Sequence, residues 1–188
     1  MSKIKSWWIV LGVVVLLALW AGGTYNSLVS SQENLNEKWN NIQADYQRRA
    51  DLIPNLVSIV KSYAQYEANV FTQVTQARSM WTNAKTQADQ MTAANAMDSA
   101  LARLIAVAEN YPELKANENY LSLQDELAGT ENRIKFSRTE FNNAVKTYNT
   151  KVRSFPTNLL AGMFGFETKQ GFEAQAGAET APNVGAML

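Results

Sequence analysis

Arg49 stands in an apolar series, Leu35, Trp39, Ile42, Tyr46, Arg49, Ile53, Leu56 and Val60, in which every other member is aliphatic or aromatic. A guanidinium in such a position needs a carboxylate partner or an escape to solvent, because an unpaired buried charge is costly. Asp51, Glu131 and Glu140 are acids that could meet it in an ion pair fixing the register between helices. A second use of the same residues is a ligand or partner contact formed by Arg48, Arg49 and Asp51, and catalysis is a third. A polar cavity around Arg49 would favour the ligand reading, and a dry, ion-paired seam the structural one. Glu109, Glu113, Glu118, Asp125, Glu126 and Glu131 are numerous enough for paired acid catalysis or a cation site. Their setting argues against metal: di-metal bundles use Glu-x-x-His pairs, and the run from Glu109 to Glu118 lacks the spacing of the twelve-residue calcium loop. These acids read as a solvated face.

The types that are missing narrow the chemistry further. With no His and no Cys, the chain has no Ser–His or thiol nucleophile, no imidazole base, no Cys/His zinc site and no disulfide. No cofactor, metal or catalytic residue is therefore expected. Seventeen basic and seventeen acidic residues balance to a formal charge of +0, which gives nucleic acid nothing to hold.

The elements that would position Arg49 are helices. The four-and-three spacing of its series continues through Tyr63, Glu67, Val70, Val74, Ala77 and Trp81. Such a period predicts a face buried against partner helices with coiled-coil-like packing. Pro54 interrupts it and either kinks one long helix or opens a second one capped by Asp51. The unbroken phase favours the kink. A continuous helix over 28–81 would leave apolar stripe uncovered and predicts an oligomer, whereas a break at Pro54 would let four helices close as a monomer. A second helix is expected from about Thr92 to Asn110, with a turn at Pro112. A third is expected from about Tyr120 to Phe155, carrying Leu127, Ile134, Phe141, Tyr148 and Phe155 and stopped by Pro156.

Residues 7–23 carry no charge, and Trp7 and Trp8 at one end and Trp20 and Tyr25 at the other bracket them as interfacial anchors. The stretch reads as a transmembrane helix with Trp7, Trp8, Leu11, Val14, Leu17 and Trp20 in the bilayer. A cleaved signal peptide and a buried core helix are the alternatives; no small-x-small motif precedes Ala21. Lys3 and Lys5 on one side, against no basic residue before Lys38 on the other, put the N-terminus in the cytoplasm and the body outside. The predicted organisation is an anchor over 1–24, a helical bundle over 25–156, an apolar segment over 157–170 and a disordered tail over 171–188. The fold class is all-α, an antiparallel up-and-down bundle of three to four long helices. In the apolar segment, Leu159, Leu160, Met163, Phe164 and Phe166 could fold back as a lid over the bundle, bind a second protomer or a partner, or dip into a bilayer.

The span followed by Tyr25-Asn26-x-Leu28, the Trp39-x-x-Ile42-x-x-x-Tyr46-x-Arg48-Arg49-x-Asp51-Leu52-Ile53-Pro54-Asn55-Leu56-Val57 stretch, Ala108-Glu109-Asn110-Tyr111-Pro112, Tyr148-Asn149, Phe155-Pro156-x-Asn158-Leu159 and Phe164-Gly165-Phe166 together resemble the LemA family, in one colinear order over about residues 10–175. The resemblance implies a membrane-anchored helical bundle of bacteria whose molecular activity is not settled. It also implies an N-terminus outside the cell, the reverse of the orientation that the lysines favour. The residues themselves support a non-enzymatic anchored scaffold or assembly protein, self-associating or presenting its helices to an envelope partner, and the resemblance implies the bacterial inner membrane as its place. A ligand-sensing module centred on Arg49 and a carboxylate-based envelope hydrolase are the other readings; the hydrolase would need two acids converging in a concave pocket.

Overall fold

The computed structural model describes residues 2–172, and the side chains from Trp7 onward. The tail expected over 171–188 falls almost wholly outside the described residues. Six helices follow one another, and no strand occurs among the described residues: α1 (Ser2–Tyr63), α2 (Ala68–Asn83), α3 (Gln87–Ala108), α4 (Pro112–Lys115), α5 (Glu118–Arg153) and α6 (Thr157–Phe164). The chain divides into two compact units, Met1–Asn41 with Ser137–Gly171, and Ile42–Phe136 with Phe172–Leu188. The helices α1 and α5 contribute residues to both.

In the first unit, α1 and α5 bury Leu28, Leu35, Trp39, Phe141, Ala144, Val145, Tyr148 and Val152. Trp39 and Phe141 meet with ring centroids 5.3 Å apart. Lys151 donates to the Ser27 and Ser31 hydroxyls at 3.1 and 2.5 Å, adding a polar tie to the same pair of helices. The stretch Trp7–Trp20 leaves all its side chains exposed, as a helix meant for an apolar solvent would. Beyond Arg153 and the cis Phe155–Pro156 bond, α6 forms and ends at Gly165, whose φ of 74° is the left-handed cap that glycine takes without a Cβ penalty. The chain then returns along α5: Asn149 accepts from the Lys169 N–H and donates to the Lys169 carbonyl, both at 2.8 Å.

The second unit gathers the C-terminal part of α1, α2, α3, α4 and the N-terminal part of α5. Its core takes Ile42, Tyr46, Ile53, Leu56 and Val60 from α1, Phe71, Val74, Ala77 and Trp81 from α2, and Ala93, Ala94, Met97, Leu101 and Leu104 from α3. Small Ala side chains on α3 let neighbouring backbone approach closely. Thr86 caps α3 by accepting from the Asp89 N–H at 3.1 Å, and Asn117 does the same for Tyr120 ahead of α5. Pro112 stands at the first position of α4, where its missing N–H costs nothing.

Two expectations need correction. The stripe from Leu35 to Trp81 is not carried by one helix: the chain breaks at residues 64–67, and α2 folds back so that Trp81 packs on Tyr46 with centroids 4.9 Å apart. Ala64-Gln65-Tyr66-Glu67 contains no Gly, Pro or Asn to announce the turn. The break comes from packing, because only a reversal brings Phe71, Val74, Ala77 and Trp81 into the core. The uncovered stripe from which an oligomer was inferred is thus covered within the chain. Secondly, α3 starts at Gln87, several residues before Thr92, because Thr86 supplies the cap.

Pro54, by contrast, lies inside α1 and does not divide it. Proline lacks the N–H that would bond to the carbonyl of Ala50, one turn earlier. That carbonyl, on a buried residue, accepts instead from Arg78 Nε of α2 at 2.9 Å. A side chain from the returning helix therefore replaces the missing backbone donor, and α1 continues for nine residues beyond the proline.

Candidate functional site

Arg49 ends up where its place in the series puts it, 3% exposed on the inner face of α1. Burial of a guanidinium demands hydrogen-bond acceptors, and two other helices provide them. From α3, Asp98 Oδ1 accepts from Nη1 at 2.5 Å. From α5, Glu131 Oε2 accepts from Nη2. Tyr46, one helical turn before Arg49, adds two contacts: its hydroxyl donates to Asp98 Oδ2 at 3.0 Å, and its ring centroid lies 5.5 Å from the guanidinium carbon. One arginine thus ties α1, α3 and α5 together at a single level. Arg49 Nε is buried without a hydrogen-bond partner.

The two carboxylates are not equivalent. The Asp98 side chain is 18% exposed and that of Glu131 is 64% exposed. Water screens the Glu131 pair strongly, so most of the compensation for the buried cation falls to Asp98. Glu131 is among the acids expected opposite Arg49. Asp98 is not, although it directly follows the core residue Met97 and so stands at the edge of the α3 seam. Of the other expected acids, Asp51 accepts from Gln47 at 2.9 Å, and Glu140 lies within 4.0 Å of Lys38 in the first unit.

Arg48 and Asp51 face outward. Arg48 pairs with Glu126 at 3.0 Å, and Asp45 lies 3.8 Å from Arg133. Arg48, Arg49 and Asp51 therefore have separate partners and do not converge on one concave surface. Two open clefts of the second unit, of ≈ 360 and ≈ 620 Å³, are lined by residues such as Gln43, Trp81 and Gln90 in one and Val57, Phe71 and Gln76 in the other, with Arg49 in neither. Among the described residues no group of three or more acids is gathered to hold a metal ion. Two tyrosines hold their protons more tightly than usual. Burial raises Tyr120 and Tyr148, with Glu109 adding to the first and Glu167 to the second.

The apolar segment separates into two faces. Ala161 is buried, and Phe164 and Phe166 pack edge-on against Tyr25 with centroids 5.0 and 5.8 Å away. Leu159 and Met163, one turn apart, point away from these contacts, 60% and 77% exposed. Leu160 is half-buried. A helical turn this short offers too little periodicity to be read from sequence, but Gly165 is a legible stop.

Comparison with known proteins gives a family and several relatives. Residues 38–185 match the model of the LemA family. Magnetosome protein MamQ 1 of Paramagnetospirillum magneticum is 27% identical over 83% of this chain and 67% of its own length. Magnetosome protein MamQ of Magnetospirillum gryphiswaldense is 26% identical over the same shares. Protein LemA of Metamycoplasma hominis is 26% identical over 74% of this chain and 64% of its own. Among the described residues one helix, Trp7–Tyr63, is long and apolar enough to cross a membrane.

Proposed function

This chain belongs to the LemA family, and from that premise we propose that it is a single-pass, membrane-anchored, non-enzymatic interaction bundle. It acts as a scaffold of the bacterial cell envelope, held in the inner membrane by residues 7–23. The observation that carries this reading is the direction in which side chains of each type are turned. Arg49, the side chain best suited to chemistry, is consumed by Asp98 and Glu131 inside the bundle, while several large apolar side chains are left outward: those of Trp7–Trp20, and Leu121 and Phe136 on α5. A bundle of this kind has apolar surfaces to offer a partner.

Leu121 and Phe136 support contact with a partner or with a second copy, since large exposed apolar side chains favour association. Lys3 and Lys5 support a cytoplasmic N-terminus. The test is the mass of the full chain in mild detergent by light scattering, beside a chain starting at Thr24. A defined oligomer of the full chain, and release of the shortened one from membranes, are the expected results. A monomer in both samples would remove self-association from the reading, and a full chain washed off membranes by alkaline carbonate would remove the anchor.

A further inference from the structure

Tyr25, with which Phe164 and Phe166 are in edge contact, stands two residues beyond the uncharged stretch 7–23. Thr157 and Lys151 line one open cleft of ≈ 340 Å³ together with Trp20, Gly23, Thr24 and Ser27. Trp and Tyr at the end of a span sit at headgroup depth, where an apolar ring and a polar tip are both satisfied. Whatever packs on Tyr25 and shares a cleft with Trp20 lies at that depth too, and α6 does both.

The outward face of α6 suits that position. Leu159 and Met163 are exposed one turn apart, and Phe155, just before the helix, is exposed as well. The last turn of α5 beside them ends in the exposed Arg153, a cation suited to lipid phosphates, and Glu167 is the one acid between Ser154 and Phe172. Apolar side chains flanked by a cation make an interfacial helix: the former enter the acyl boundary and the latter meets the headgroups. The left-handed turn at Gly165 and the Asn149–Lys169 hydrogen bonds return the chain to α5, so that α6 is a short excursion from it. We infer that α6 is a second membrane contact, a foot whose Phe155, Leu159 and Met163 enter the bilayer surface beside the transmembrane span. Its occupant is lipid, because the helix that bears this face packs on Tyr25 and shares a cleft with Trp20 at the end of the span. The inference rests on the membrane anchor proposed above.

The chain has no cysteine, so a single introduced thiol reports one position. The experiment uses the full chain in phosphatidylcholine vesicles containing phosphatidylglycerol, with an environment-sensitive fluorophore on Leu159→Cys, Met163→Cys, Val14→Cys or Tyr66→Cys. Quenching by a shallow nitroxide lipid is compared with quenching by aqueous iodide, after circular dichroism has shown unchanged helicity. Labels at 159 and 163 are expected to emit blue-shifted, to be quenched by the nitroxide lipid, and to resist iodide several-fold better than the label at Tyr66, which is 96% exposed. If the label at 14 meets lipid while those at 159 and 163 meet iodide as freely as that at 66, the foot is overturned and the anchor stands. Labels at 159 and 163 shielded from iodide yet untouched by the nitroxide lipid would mean that protein covers α6, which also overturns the foot. A label at 14 open to iodide would overturn the anchor and the foot together.

Discussion

Arg49 and Met163 reverse the usual relation between polarity and place: the cation is 3% exposed and the thioether 77%. The two departures have different kinds of resolution. Arg49 is resolved inside the chain, by carboxylates from α3 and α5 and the face of Tyr46. For Met163 and Leu159 the described residues give no such resolution, since it is Phe164 and Phe166 that hold the contacts with Tyr25. A buried charge that finds partners says how a bundle keeps its register. An exposed apolar pair on a helix that packs beside the span says where the bundle meets something else.

The largest effect expected from breaking this contrast is at Asp98. Asp98→Ala leaves a buried guanidinium with only the screened Glu131, and removal of one partner from a buried pair costs about 3–5 kcal/mol. Glu131→Ala should cost at most about 1 kcal/mol, as for other exposed pairs, and less at high salt. Arg49→Met should be milder than Asp98→Ala, because it removes the charge along with the need for partners. Urea unfolding followed by circular dichroism ranks the three. Equal losses for Asp98→Ala and Glu131→Ala would show that exposure does not divide the two carboxylates as described.

The next effect in size concerns Pro54. Arg78→Met leaves the Ala50 carbonyl buried and unsatisfied, for about 1–3 kcal/mol. Pro54→Ala restores an N–H that can bond to that carbonyl, so Arg78→Met should cost clearly less in a Pro54→Ala background. A double-mutant cycle in urea reads the coupling directly. No coupling would mean that Arg78 stabilises through something other than the orphaned carbonyl.

What was legible in the sequence, and what was not, follows from the range of the interactions concerned. The seam from Leu35 to Val60 and the matching one in α5 were readable, since burial on a helix leaves a local period. So was the oddity of Arg49, and Glu131 among its possible partners. Asp98 was not legible, because an acid beside a core position such as Met97 carries no local mark of the cation it meets from another helix. The continuation of α1 through Pro54 depends on a donor 28 residues away, and the turn at 64–67 on a core that exists only once α2 has reversed. Neither leaves a mark in the local sequence. Of the remaining site residues, Arg48 and Asp51 could be named from their proximity to Arg49, but successive positions on a helix point 100° apart, and proximity in sequence did not make them neighbours in function.

The smallest expected effect is the most informative about α6. Leu159→Ser with Met163→Ser removes two apolar side chains whose contacts, if the outer face is free within the chain, are absent from the folded body. Substitutions at such positions usually change stability by no more than about 0.5 kcal/mol. Burial of the same two side chains under a lid would instead have cost roughly 2 kcal/mol or more each. In detergent-free buffer, the chain starting at Thr24 should therefore unfold at nearly the same urea concentration with or without the two serines. A loss comparable to that of Asp98→Ala would show that the outer face of α6 is core after all, and the contrast between an inward charge and an outward apolar pair would collapse. An unchanged midpoint leaves the pair free to face an outside surface, and the cost of removing it must then appear where that surface is present, in the full chain on a bilayer.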